Sequence, residues 1–246
     1  MHQKINPQNT LNKKEKITKK LSRVGIGSRR MLERWIQDGR VSINGEVICN
    51  PAIRVDENVT ITFDGVKVPD KETTRLWKFY KPRSSLSSNN DSKGRSLIFD
   101  FLPKNLPRVI SVGRLDYNTE GLILLTNDGE LARKLEMPSS EFLRRYRVRI
   151  RGKVKKSKLD LLKHGITINK INYKPMNGYL ERQNKTNAWV NISLKEGKNR
   201  EIRKIMEFYG WEVSRLIRVE FGPFKIGSLK EKETQEIDYS MFCNLL

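Results

Sequence analysis

Apolar residues recur along this chain at two spacings, and the switches between them mark its elements. From Glu15 the spacing is helical. Ile17, Leu21 and Val24 share one face, Lys16, Lys19, Lys20 and Arg23 take the rest, and Gly25 suits the C-terminal cap. Ser28 suits the N-cap of a second helix over residues 29–38, stopped at Gly39. Met31, Leu32, Trp35 and Ile36 form its apolar stripe, while Arg30 and Arg34 stack four apart on another face. The spacing then drops to two. Val41-Ser42-Ile43, the turn Asn44-Gly45 and Glu46-Val47-Ile48 predict a hairpin, and residues 59–63 a further strand ending at Asp64-Gly65.

A polar, acidic stretch over residues 69–74 reads as a linker, after which the pattern changes. Residues 76–80 predict a buried strand running into Lys81-Pro82-Arg83, and the Ser, Asn and Gly of residues 84–96 a mobile loop. A short helix over 97–102 follows. Two apolar runs, 109–112 and 122–125, then bracket the loop Gly113-Arg114-Leu115-Asp116-Tyr117-Asn118-Thr119-Glu120-Gly121. Asn127-Asp128-Gly129 signals a turn into a short helix bearing Leu131 and Leu135. Over residues 145–151 strict alternation sends Tyr146, Val148 and Ile150 to one side and four arginines to the other. A helix over 157–164 and strands over 178–181 and 188–194 come next. Asn199 suits the cap of a helix whose apolar face is Ile202, Ile205, Met206 and Tyr209, and strands over 213–219 and 224–226 close the sheet.

The periodicity thus predicts an α+β protein. Residues 1–14 form a disordered tail, 15–68 a small α/β domain, 69–74 the linker, and 75–246 a larger domain on a mixed, mostly antiparallel β-sheet with flanking helices.

Charge narrows the partner. The formal net charge is +21, and a surplus of that size implies a polyanion, since Lys or Arg on phosphates releases condensed counterions. It is unevenly placed: residues 1–40 hold eleven Lys or Arg against three acids, and 41–72 hold three against six. The first two helices, not the hairpin, therefore face the anion. A membrane surface fits less well, because no basic amphipathic helix is long enough for a bilayer interface and no apolar run approaches a membrane span. Cys49 and Cys243 stand far apart, and with His2 and His164 they make no spaced metal-ligand set. They read as plain thiols of a reducing compartment, and with no apolar signal core the chain is expected in the cytoplasm.

There is no Ser/His/Asp or Cys/His arrangement and no phosphate loop of the Gly-rich type. What remains is a carboxylate in a basic setting. An isolated loop Asp is most often a turn cap, but Asp116 is bracketed by glycines, follows Arg114 and has Glu120 four residues on. A neighbouring guanidinium favours the charged form of such an acid and keeps it available as acceptor or nucleophile. Gly197, Lys198 and Arg200 gather at a helix N-terminus, where free N–H groups and the dipole favour an anion.

Two basic helices and a small sheet, with Ser28-Arg29-Arg30 and Gly39-Arg40-Val41-Ser42-Ile43-Asn44-Gly45, resemble the S4 RNA-binding domain. That resemblance implies RNA contacts at Ser28, Arg29, Arg30, Arg34 and Arg40. Lys81-Pro82-Arg83, Gly113-Arg114-Leu115-Asp116 with Thr119, Gly121 and Leu122, Thr126-Asn127-Asp128-Gly129, Arg145-Tyr146-Arg147-Val148 and Gly197-Lys198-Asn199-Arg200-Glu201-Ile202-Arg203 resemble the motifs of ribosomal RNA pseudouridine synthases of the RsuA and RluB type. The likeness spans about residues 15–230, and the turn at 126–129 favours the large-subunit branch.

The resemblance implies a cofactor-free isomerisation of uridine to pseudouridine in ribosomal RNA, on a base flipped out of its RNA structure. Asp116 matches the aspartate that initiates cleavage of the glycosidic bond, by attack at the sugar or removal of a sugar proton. Tyr146 matches the tyrosine that stacks on the base, Arg203 the basic residue paired with the aspartate, and Ile202 the aliphatic beside it. Arg114, Lys81, Arg83, Lys198 and Arg200 are expected to hold phosphates, with Thr119, Gly121 and Asn199 in the same substrate surface. Arg144 stands where the family commonly has Lys, and Ser84 where Gly is usual. The expected partner is ribosomal RNA or an assembly particle, with no metal, no membrane and a monomeric enzyme. The alternative is a non-catalytic S4-type assembly factor that binds RNA without chemistry.

Overall fold

The computed structural model describes residues 14–240 and 242, and it divides into two units between Thr73 and Thr74. The predicted tail, apart from Lys14, and Cys243 lie outside the described residues.

In the first unit β1 (Glu15–Lys16) leads into α1 (Ile17–Arg23) and α2 (Arg29–Gln37). Then come β2 (Val41–Ile43), β3 (Glu46–Ile48), β4 (Arg54–Val55), β5 (Ile61–Phe63) and β6 (Val66–Lys67). Ser28 caps α2 as expected, its Oγ accepting from the Met31 N–H at 3.3 Å. Asn44 and Gly45 take positive φ, 50° and 92°, which a two-residue hairpin turn of this hand requires. The sheet runs β3-β2-β5-β6, and β1 pairs with β4, neither of which the periodicity marked. Ile17, Leu21, Leu32 and Ile36 are fully buried with Val41 and Ile61, and each such side chain contributes about 1.5–3 kcal/mol. Met31 departs from the predicted stripe and is exposed.

In the second unit β7 (Leu76–Lys81), β8 (Ile110–Val112) and β9 (Glu120–Thr126) are followed by α3 (Gly129–Glu136) and β10 (Arg144–Arg151). After α4 (Lys156–Leu161) come β11 (Ile166–Ile168), β12 (Ile171–Tyr173), β13 (Asn177–Gln183) and β14 (Asn187–Leu194). Helix α5 (Glu201–Phe208) leads to β15 (Val213–Phe221), β16 (Phe224–Lys225) and β17 (Thr234–Ile237). The predicted helix at 97–102 is a single 3-10 turn, Ile98–Phe101.

The main sheet runs β13-β14-β10-β15-β9-β7-β17, with β16 on β15 and β8 on β9. Only one pairing in it is parallel, β15 with β9, where Ile217 meets Glu120 and Arg218 meets Gly121. Strand β9 is buried at every position because both faces are covered. Ile123 and Leu125 enter the core that holds Ile202, Ile205 and Met206 of α5, while Leu122 and Leu124 enter the core that holds Leu131 and Leu135 of α3. Asp128 caps α3, accepting from Glu130 N at 2.8 Å, so the Asn127-Asp128-Gly129 signal was a helix start as well as a turn.

The parallel pairing depends on a missing side chain. Gly121 has φ +99°, and a Cβ there would lie 2.3 Å from the Arg218 carbonyl oxygen. A backbone atom cannot step aside as a side-chain end can. Gly121→Ala is therefore expected to cost about 2–5 kcal/mol from positive-φ strain plus overpacking. Urea denaturation of the full chain checks this, and an unchanged midpoint would show that the two strands have room to separate.

Candidate functional site

A cleft of about 530 Å³ opens in the second unit where the 113–119 loop, strands β10 and β15, and the start of α5 converge. Asp116, Tyr146, Arg200, Ile202, Arg218 and Phe221 are among the residues that line it.

The Asp116 loop is tied on every side. Lys81, at 0 % exposure, sends its Nζ to three carbonyls: Pro82 at 3.0 Å, Tyr117 at 3.3 Å and Thr119 at 2.9 Å. Gly113 N donates to Glu136 Oε1 at 2.6 Å, and Leu115 N to the buried Ser87 hydroxyl at 3.2 Å. Ser84 N donates to the Tyr117 carbonyl at 2.9 Å, and Thr119 N closes a turn onto the Asp116 carbonyl at 2.9 Å. Burial pushes the Lys81 ammonium down to about 8, opposed by the carboxylates of Glu120 and Asp116. Lys81 is thus an internal strut, and its predicted role as a phosphate contact is corrected.

The same bonds correct the mobile reading of residues 84–96. Ser85 and Ser87 are buried, Leu86 and Leu97 form an isolated bridge, and Asp91 holds the N–H groups of Lys93 and Arg95. Serines read as polar filler are in fact anchors. Glu120 is corrected too: instead of a second loop carboxylate it begins β9, buried, with both oxygens on Arg215 at 2.7–3.1 Å. Gly121 belongs to the strand packing described above, not to a substrate surface.

Across the cleft, Tyr146 points inward as the alternation predicted, 9 % exposed. Its cross-strand partner is Arg218, beside a register shift between Arg145 and Tyr146 that re-aims the strand. Arg218 is 4 % exposed, and its Nε donates to the Leu122 carbonyl at 2.8 Å. Burial holds this guanidinium below its usual range, with Tyr146 the neighbour that favours its charge. Its Nη2 is buried without a hydrogen-bond partner. Arg144 closes the same wall, donating to the carbonyls of Phe142 at 3.0 Å and Lys195 at 2.6 Å.

The third wall is the start of α5. Arg200, not Asn199, is the cap residue, in a left-handed conformation at φ 52°. Asn199 lines the cleft and does not cap. In its place the Glu201 carboxylate reaches back to accept from Lys198 N at 2.9 Å. Arg200 Nη1 lies 3.9 Å from Asp116 Oδ2. Arg203, which the sequence pairs with the aspartate, lies half-buried one turn on. Its Nη2 donates to the Asn118 carbonyl at 2.9 Å and its Nη1 to the Val213 carbonyl at 3.1 Å. Burial and the charge of Arg200 push the Arg203 guanidinium down, while Asp116 favours its charge. Arg203 therefore braces the loop that carries Asp116, and Arg200 makes the ion pair.

Of the remaining candidates, Arg114 lines the cleft, exposed, and Arg83 is exposed near Arg203. Thr119 is buried with its hydroxyl unpartnered. Lys198 stands at the rim but is paired with Glu196 at 2.8 Å. In the first unit Arg29, Arg30 and Arg34 are exposed on α2. Arg40 is not free: it holds Asp64 at 2.5 and 2.9 Å and stacks on Trp35 and Phe63, so its predicted RNA contact gives way to a structural one. Arg218 was not singled out by the sequence analysis, which placed it within the strand over 213–219 without assigning it a role. Its one signal was a charged residue at a position whose strand neighbours are buried.

The chain matches the family model for RNA pseudouridylate synthase over residues 75–208, and that for the S4 domain over residues 18–61. It is 42% identical over 231 residues to an RNA pseudouridine synthase of Rickettsia bellii, covering 93% of this chain and 99% of the relative. It is 42% identical to the ribosomal large subunit pseudouridine synthase B of Salmonella typhi, over 85% of this chain and 74% of the relative. A crystal structure of a pseudouridylate synthase superposes with a TM-score of 0.65 at 25% identity, over 94% of this chain and 99% of that one. Among the described residues no helix is long and apolar enough to cross a membrane. With an S4 domain ahead of a synthase domain, the chain belongs to the RNA pseudouridine synthases.

Proposed function

We propose that this chain isomerises a uridine of large-subunit ribosomal RNA to pseudouridine, with Asp116 as the group that starts the reaction. The observation that carries the reading is that Asp116, Tyr146, Arg200 and Arg218 all border one cleft. The reaction conserves atoms: the bond from the sugar to N1 breaks, a bond to carbon 5 forms, and the carbon-5 proton is lost while N1 gains one. No redox partner is needed.

Each residue has a task in this scheme. Asp116 faces the sugar, held in position by the Lys81 and Arg203 contacts to its loop. Tyr146 offers a ring face on which a flipped base stacks, and its hydroxyl is within reach of the carbon-5 proton. Arg218, in the cleft wall opposite Tyr146 across the strands, sets a fixed positive charge beside the detached uracil, where negative charge builds as the glycosidic bond breaks. Arg114, Arg200 and Arg83 take flanking phosphates, and α2 of the S4 unit grips RNA through Arg29, Arg30 and Arg34.

Asp116→Asn keeps the shape of the loop and removes the nucleophile or base. Release of tritium from carbon-5-labelled ribosomal RNA should fall to background while RNA affinity stays within about threefold. Substantial release from that variant would mean another group does the chemistry.

Arg218→Met separates catalysis from packing. Methionine fills the volume but leaves the Leu122 carbonyl without its Nε donor, which costs about 1–3 kcal/mol. Loss of a preorganised donor costs about 10²–10³ in kcat. The expected result is a urea midpoint lowered by no more than that loss, with turnover down by about 10²–10³ in protein that is still folded, and full turnover would remove Arg218 from the mechanism.

The S4 surface is read by salt. Changing Arg29, Arg30 and Arg34 together to Ala should reduce the slope of log K against log salt by about 0.7–0.9 per lost phosphate contact. An unchanged slope would place the contact surface elsewhere.

A further inference from the structure

Beneath the 197–200 loop lies a pair of acids that the scheme above does not use. Glu201, the first residue of α5, is 3 % exposed. One oxygen, Oε2, accepts from Lys198 N at 2.9 Å, while Oε1 is buried with no donor. The group it meets is the carboxyl of Glu196. Glu196 is itself committed: Oε1 accepts from Lys174 N at 2.6 Å and Oε2 is 2.8 Å from Lys198 Nζ. Two ionised carboxylates in that contact repel, and each leaves an acceptor facing an acceptor. A proton on Glu201 Oε1 resolves both, donating to Glu196.

The surroundings do not supply another donor. Lys198 is turned to Glu196 and to the Asn172 carbonyl, with Tyr173 of β12 under its ammonium at 5.4 Å. From β10 the charged neighbour is Arg144, whose guanidinium lies against Gly197 and is spent on the Phe142 and Lys195 carbonyls.

We propose that Glu196 and Glu201 share one proton, and that this acid pair is the positioning device that locks the 197–200 loop and sets Arg200 against Asp116. Resting on the reading of Asp116 above, it adds a residue whose job is to hold another. The loop carries Arg200 in a left-handed conformation, which a non-glycine residue keeps only where its surroundings hold it. The bonds that do so here are Glu201 to Lys198 N on one side and Glu201 to Glu196 on the other. Loss of the shared proton sets like charges against each other at the loop's base and frees it.

The sign follows directly. Burial and Glu196 together raise the Glu201 carboxyl to about 8, so the lock is closed below that pH and opens as pH rises through it. If turnover tracks the protonated fraction, kcat/KM falls about fourfold between pH 7 and pH 8.5. Lys81 also loses a proton near pH 8, so a limb in wild type alone does not identify the group.

Glu201→Gln keeps an acceptor for Lys198 N and an amide donor for Glu196 but has no proton to lose, whereas Glu201→Ala has neither bond. Full-length protein carrying carbon-13 in its Glu carboxyls is titrated by NMR, and kcat/KM for tritium release is followed over the same pH range. The expected result has three parts. One carboxyl resonance titrates near pH 8 and disappears in Glu201→Gln; the alkaline limb of wild type becomes shallower in that variant, leaving the part that belongs to Lys81; and Glu201→Ala loses at least tenfold at pH 7, which Gln restores. A limb of unchanged depth in Glu201→Gln, the absence of any limb in wild type, or no Glu carboxyl titrating above pH 6 overturns the proposal. The NMR readout needs no RNA. A carboxyl near pH 8 with no turnover on any ribosomal RNA would therefore sink the assignment of function and leave the shared proton standing.

Discussion

The site depends on one ammonium group in the wrong solvent. Lys81 sits at the end of β7 with no exposed surface, and it spends its three donors on three backbone carbonyls. Taking a cation out of water costs several kcal/mol after relaxation, and charge-assisted bonds to carbonyls return much of that. Two of those carbonyls, of Tyr117 and Thr119, flank Asn118, whose own carbonyl is held by Arg203. Three consecutive residues just past Asp116 are thus pinned by cations from opposite sides. A loop so held cannot wander, and a carboxylate on it meets a substrate at a fixed place, which is where positioning gains rate.

Much of this architecture could be read from the chain, because the signals that set it are local. The cap at Ser28, the Asn44-Gly45 turn and the alternation through Tyr146 each depend on a few neighbouring residues, and each appears where the pattern put it. What escaped was decided across the fold. Lys81 and Arg218 look like surface cations to any local rule, since only the approach of distant strands buries them. Arg40 fails for the same reason: Asp64 is 24 residues away, and the ion pair exists because β2 and β5 pair with Val41 opposite Phe63. Asn199 was a good cap by composition, but Glu201 reaches back to the Lys198 N–H first. Short strands such as β11 and β17 carried too few residues for a period to register.

Charge is divided by task between surface and interior. On α2 Arg29, Arg30 and Arg34 are exposed, so phosphates can reach them and displace salt ions from them. Over the outer face of β10 the opposite holds. Arg147 is paired with Glu181 at 2.6 Å, Arg145 with Glu220 at 3.5 Å and Arg151 with Glu212 at 3.1 Å. Those pairs add little stability, being exposed, but they occupy three of the four outward arginines and leave Arg149 exposed. A net charge of +21 therefore overstates the binding area. At the cleft Arg114 is exposed and Arg200 faces Asp116 at 3.9 Å, while Arg83 is exposed close to Arg203.

Inside the cleft the balance of charge is deliberately uneven. Glu120 is neutralised by Arg215, and the Glu196–Glu201 pair is occupied with Lys198, so Asp116 is left as the carboxylate that faces Arg200, Arg203 and, further back, Lys81. A cleft wall that carries Arg114, Arg144, Arg200 and Arg218 favours the entry of an electron-rich group. A uracil breaking away from its ribose is such a group, because its ring takes up the electrons of the departing bond. A fixed charge such as Arg218 costs no reorganisation at that instant, having been placed when the sheet formed. That same logic explains why Gly121 must remain a glycine: its bare backbone lets β9 close on β15 and sets Arg218 under the cleft floor.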